Sequence, residues 1–164
     1  GDGKHRIADS TFLLKKYLHE QSIVLLADVS GIGEMKDPAV HNDPKYLSDE
    51  YRNAMMAIHI GQSLPSMRTA DVLTLISFIN DNPATAGLPI HVYASGSTTL
   101  PALQAAAVNQ HIDKLFTYRS LQSFYDVIDQ PLDRKYYSYI IPGILKYYDI
   151  PDLEKFLGAR LIRN

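Results

Sequence analysis

Between residues 90 and 117 the chain runs through an apolar strand, a turn of small residues, an alanine-rich helix and a second apolar strand. No other stretch limits the fold so strongly. Parallel strands cannot be joined by a tight turn, so strand, crossover helix and strand together define the smallest parallel unit. The strands fall at 90–93 and 112–117 and the helix at 101–108. Pro101 suits the first turn of that helix, where a missing N–H removes no bond. The alanines that follow allow helix and sheet to approach closely.

The flanking segments extend this α/β pattern. Residues 10–20 suit a short amphipathic helix, with Ser10 as cap and Leu13, Leu14, Tyr17 and Leu18 on one face. Residues 23–27 are apolar without a break, as a strand covered on both faces would be, and lead into the turn Asp28-Val29-Ser30-Gly31-Ile32-Gly33-Glu34. Residues 35–47 read as loop. A helix follows from Ser48, with Tyr51, Ala54, Met55, Ile58 and Gln62 on one stripe, interrupted by Gly61 and Pro65. Another from about Met67 places Val72, Leu75, Ile76 and Ile79 together and stops at Asn82-Pro83. Residues 118–150 hold most of the 11 tyrosines and suit short helices and ordered loops. A last helix at 153–157 and a strand at 159–162 complete the pattern. The expected architecture is a single α/β domain over 1–164, a three-layer sandwich around a mostly parallel sheet, with a tyrosine-rich, cap-like segment at 118–152.

Composition excludes several classes of partner and chemistry. Sixteen Lys and Arg against 18 Asp and Glu give a net charge of −2, which provides no general attraction to nucleic acid. Lys15-Lys16 and Arg134-Lys135 are short basic spots of the kind found on solvated faces. With no cysteine, disulfides, thiolate metal sites and a thiol nucleophile are ruled out. No run approaches the ~20 apolar residues of a membrane span.

The chemistry-bearing candidate is the turn Ala94-Ser95-Gly96-Ser97-Thr98. A strand, a five-residue turn and a helix form the architecture of a nucleophile elbow, in which the central residue of G-x-S-x-G attacks. Here the centre is Gly96, and both flanking glycines are replaced. Ser95 and Ser97 are weak candidates, because moving the hydroxyl one position re-aims it beyond what attack geometry tolerates. Local bonding by Ser95 and helix capping by Ser97, Thr98 or Thr99 account for these hydroxyls. A triad also needs a base and an orienting acid. Of His5, His19, His41, His59, His91 and His111, only His111 follows the turn, at the far end of the crossover helix. No metal-ligand spacing is present, and Asp126, Asp129 and Asp133 suit helix ends and turns. Gly31-x-Gly33 lacks the third glycine of a phosphate-binding turn. Tyr136, Tyr137, Tyr139, Tyr147 and Tyr148, with Phe124 and Tyr125, suit a sugar-binding surface or the core of an irregular cap, with core the expectation for most. No cofactor is expected.

The order of these segments resembles bacterial α/β-hydrolases of the acetyl xylan esterase-like group, found in polysaccharide-degrading systems. The likeness rests on residues 24–34, with Ser30 where that group has Arg, and on Met67-Arg68-Thr69-Ala70-Asp71-Val72-Leu73. It continues through residues 90–107 and 112–116, then 118–132. Its most distinctive part is Ile141-Pro142-Gly143-Ile144-Leu145-Lys146-Tyr147-Tyr148-Asp149-Ile150-Pro151-Asp152-Leu153. The resemblance implies an incomplete α/β-hydrolase-like fold, with the oxyanion strand before residue 1 and the strands bearing acid and histidine after residue 164. It implies a link to carbohydrate metabolism and xylan degradation, and an exported or periplasmic parent. With the nucleophile replaced by Gly96, it implies a non-catalytic, structural domain, a pseudoenzyme. The alternatives are a serine esterase completed by residues outside this chain, or a sugar-binding module. A missing segment, a neighbouring domain or a second copy is expected to complete the sheet, and polysaccharide is a possible ligand.

Overall fold

Parallel strands become stable when a crossover helix buries their apolar side chains, and residues 90–118 meet that requirement. The structure, a computed structural model, describes residues 3–5, 18, 22–36, 50–130 and 134–163. The chain divides into two compact units, Gly1–Asn42 and Asp43–Asn164.

In the larger unit the order is α1 (Tyr51–His59), α2 (Leu64–Asp81), β1 (Ile90–Ser95), α3 (Thr99–Val108), β2 (Ile112–Tyr118), α4 (Phe124–Asp129), α5 (Ile150–Leu157) and β3 (Leu161–Arg163). The sheet has the order β1-β2-β3 and is parallel throughout. Val92, Tyr93, Ala94 and Ser95 lie beside Leu115, Phe116, Thr117 and Tyr118, and Phe116 lies beside Ile162. This is a small α/β fold with a parallel sheet, as the sequence pattern required.

Helix α3 packs on β1, β2, α2 and α5. Leu100, Ala102, Leu103, Ala105 and Ala106 are all at most 1% exposed. A helix with neighbours on so many sides must be slim, which explains its alanines. Ile112, Leu115 and Ile150 close the core around it. Each such aliphatic side chain contributes roughly 1.5–3 kcal/mol by leaving water.

Helix starts follow local chemistry. The Ser63 hydroxyl accepts the Ser66 N–H, and the Ser66 hydroxyl accepts the Ser63 N–H. That reciprocal cap places Pro65 in the first turn of α2, so Pro65 opens this helix rather than interrupting one. Asp149 caps α5 in the same manner, with Asp152 returning the bond and Pro151 in the first turn.

Two expectations need correction. Residues 23–27 are extended but form no strand, and Ile23 and Leu25 are 65% and 47% exposed. An apolar run becomes a strand only through a ladder, and this one pairs with no strand among the described residues. The three-layer sandwich also reduces, among the described residues, to helices on one sheet face. The other face presents exposed His91, Tyr93 and Tyr118, and Tyr93 stacks on its ladder partner Phe116 at 4.5 Å and 7°. The helix expected at 10–20 and most of the loop expected at 35–47 lie outside the described residues.

The tyrosine-rich segment consists of α4, the 3₁₀ turns Arg134–Tyr139 and Ile144–Lys146, and connecting loops. Only Tyr139 is fully buried. Tyr136, Tyr137 and Tyr148 are half-buried, while Tyr118, Tyr125 and Tyr147 are exposed. Of the seven rings singled out in the sequence, Phe124 and Tyr139 lie in the core and Tyr136 and Tyr148 pack against it, while two, Tyr125 and Tyr147, are exposed, so most serve the core as expected.

Candidate functional site

The link from β1 to α3 is a tight 3₁₀ turn, Gly96–Thr98. Thr98 closes it: its hydroxyl accepts the Ser95 N–H at 3.1 Å and donates to the Ser95 carbonyl at 3.0 Å. The buried Thr99 hydroxyl donates to the Gly96 carbonyl at 2.7 Å. Thr98 and Thr99 therefore brace the turn itself. Gly96 has φ +61°, and a Cβ built on it would meet no atom within 4 Å. The chain thus makes the sharp strand-to-helix turn that an elbow requires, with a left-handed residue at its centre and open space where a side chain would project.

Neither neighbouring serine has the partners of a nucleophile. Ser95 is exposed. The Ser97 hydroxyl faces Glu50 Oε1 at 3.5 Å, a long contact with an oxygen that Arg68 already holds. Arg68 is fully buried, and its Nη2 donates to that oxygen at 2.7 Å. Tyr139 lies in the same electrostatic neighbourhood. Burial pushes its hydroxyl up to about 12, with the Glu50 charge adding and Arg68 opposing. The ion pair fixes the start of α2 to the end of the segment before α1, beside the turn. Its role is positional.

The histidines are elsewhere. His91 is at the start of β1, four residues or roughly 13 Å along the strand from Ser95, with its ring edge-on to Phe116. His111 is exposed at the start of β2, where its N–H is held by the Asn109 side chain. His59 ends α1 and is exposed. Among the described residues no histidine bonds to Ser95 or Ser97. His19 and His41 lie outside the described residues, as does Asp133. Asp126 answers Ser123 in the cap of α4, and Asp129 ends that helix.

The described residues hold no group of three His, Asp or Glu side chains able to bind a metal. They hold no helix long and apolar enough to cross a membrane. In the smaller unit, the Gly31-x-Gly33 turn closes on Asp28, whose carboxylate accepts the Lys4 N–H at 2.6 Å and the Glu34 N–H at 3.0 Å. A Cβ on Gly33 would collide with that carboxylate. The Gly31, Ile32 and Glu34 N–H groups of the turn are satisfied internally, by the Met35 and Val29 carbonyls and the Asp28 carboxylate.

Sequence reasoning missed Glu50, and saw Arg68 only as part of a familiar stretch. The single cation of α2 is the available signal, but its partner lies 18 positions away and no local period connects the two. Asp149 was likewise seen only within a longer match. Its carboxylate takes the Ser123 hydroxyl at 2.5 Å and the Phe124 and Ile150 N–H groups at 2.7 Å each, so one side chain anchors the starts of α4 and α5. Partial burial pushes that carboxyl up, and the three donors outweigh it, holding it below the usual range.

No protein-family model, curated protein or solved structure matches this chain.

Proposed function

We propose that this chain is a non-catalytic, α/β-hydrolase-like domain of a carbohydrate-esterase-like protein, acting as a structural element that packs against or orients a catalytic neighbour. One observation carries the reading. The strand-to-helix turn has the left-handed centre and clear space of an elbow, yet the residue there is Gly96. The distribution of histidines adds to it, since His91 and His111 stand at the starts of their strands while the turn is at the end of β1. Within the larger unit, the sheet face left open among the described residues, with Tyr93 and Tyr118 each about half exposed, would offer a surface for such a neighbour.

The test is activity-based. The full chain, treated with a fluorophosphonate probe and assayed on acetylated xylo-oligosaccharides and p-nitrophenyl acetate, is expected to remain unlabelled and inactive. Turnover or labelling abolished by Ser95→Ala or Ser97→Ala would instead establish an active serine esterase with a displaced nucleophile.

A further inference from the structure

At the carboxyl ends of β2 and β3, one strand over from the turn, the backbone opens a cleft of about 430 Å³ lined by Thr117, Tyr118, Arg119, Ser120, Gln122 and Arg163. In parallel sheets this edge is where ligands bind, because the connections diverge there and leave a crevice. The volume is that of a small-molecule site.

Three independent features mark the cleft. First, Arg119 has φ +54° and is the one non-glycine residue with positive φ among those described. A long, unbranched cation is a costly choice for a left-handed position, and such outliers collect at functional sites. Second, the Arg119 guanidinium is exposed and engages no carboxylate among the described residues. It stands 5.2 Å from the centroid of the Tyr118 ring, which holds it at the cleft while leaving its N–H donors available. Third, the Ser120 hydroxyl is buried without a hydrogen-bond partner, although buried hydroxyls are normally satisfied. Arg163, on the opposite wall, is engaged by Glu154 at 2.8 Å, so it shapes the cleft more than it charges it. The Gln122 amide is turned to the Ser120 carbonyl at 3.2 Å.

We infer that this cleft binds a small oxyanion, a carboxylate or phosphate on a body no larger than a monosaccharide. Arg119 supplies paired charge-assisted donors, and rotation of the Ser120 side chain about χ1 on binding brings its unpartnered hydroxyl into the set. The Tyr118 ring flanks the body of the ligand. The inference concerns different residues from the degenerate turn and does not depend on the esterase-like reading.

Amide chemical shifts of the full chain, titrated with glucuronate, glucose 6-phosphate, inorganic phosphate and uncharged glucose, test it. At least one anion is expected to move the Arg119, Ser120 and Gln122 amides saturably in the millimolar range or tighter, with glucose inert. Comparing glucuronate with the two phosphates identifies which oxyanion is preferred. Arg119→Ala is expected to weaken binding at least tenfold and Ser120→Ala severalfold, with Arg119→Lys between wild type and Arg119→Ala. Arg119 is exposed, so these variants should keep the wild-type melting curve to within a few degrees, which separates lost binding from lost fold. Equal response to glucose, unsaturable shifts spread over other basic residues, no response to any anion, or unchanged affinity in Arg119→Ala would each overturn the inference.

Discussion

Gly96→Ser puts a hydroxyl at the centre of the turn, and the structure sets what this should cost. The residue occupies φ +61°, where an L side chain is disfavoured by roughly 1–2 kcal/mol. Replacing glycine also reduces the freedom of the unfolded chain, which offsets about 0.4–1 kcal/mol. No collision term enters, because the added Cβ meets nothing within 4 Å. The expected net loss is therefore about 1 kcal/mol, a fall of roughly 2–4 °C in Tm for a domain of this size. Urea unfolding followed by circular dichroism, together with fluorophosphonate labelling of the same sample, reads both consequences. Gly96→Ala should cost the same within a few tenths of a kcal/mol, since the hydroxyl has no partner to gain. The new serine should also remain unlabelled, because an unassisted hydroxyl is a weak nucleophile at neutral pH. A loss above ~3 kcal/mol would mean the space over the turn is occupied, and any stabilisation would mean the left-handed geometry is wrong. Labelling would mean a general base reaches the turn.

Arg68→Ala should lose roughly 3–5 kcal/mol in urea unfolding because Glu50 is left charged and largely buried, while Arg68→Met combined with Glu50→Gln should recover most of it; equal losses in the two proteins would refute a charge-based account. Tyr139 is buried as the neutral phenol, so the folded state keeps a proton that the unfolded state releases near pH 10; stability present below that pH should fall by about 2–3 kcal/mol by pH 12, and Tyr139→Phe should flatten the decline. Asp149 has a lowered carboxyl, so its contribution is present above the unfolded value near 4 and lost as pH falls through the folded one. Asp149→Ala should cost about 1–2 kcal/mol at pH 7 and show a shallower decline in stability on the acid side of the unfolded value.

The legible part of this fold is the part whose signals are local. The β1-α3-β2 unit could be read because strand period, proline position and alanine content all lie within a few residues of one another. The end of α2 could be read too, since Asn82-Pro83 stops a helix by its own chemistry. Its start was misplaced because Pro65 reads as a breaker until Ser63 and Ser66 are recognised as a reciprocal cap. Residues 23–27 show the opposite limit: strand propensity is a statement about fit to a ladder, and nothing in an apolar pentapeptide says whether a ladder will be there. The site divided along the same line. The turn is legible as a pattern, with glycine at its centre. The Glu50–Arg68 pair, the double anchoring by Asp149 and the orphaned Ser120 hydroxyl are products of tertiary proximity, which residue spacing does not encode.

Gly96 and Arg119 make one further comparison possible. Both leave the carboxyl end of a parallel strand in the left-handed region, at φ +61° and +54°, and their strands are neighbours in the sheet. The backbone demand is nearly the same, and the sequence answers it in two ways. At the end of β1 it uses glycine, which meets the demand without strain and gives up the side chain that chemistry would need. At the end of β2 it keeps a long cation at an energetic cost that glycine would remove. A residue that costs stability and contributes nothing else is open to replacement by any destabilisation-relieving mutation, so its presence calls for a compensating role. The strain at this sheet edge therefore falls on Arg119 and its cleft, while the turn that resembles a catalytic elbow is the relaxed one. If the edge retains a ligand, the second strand is where it should be sought.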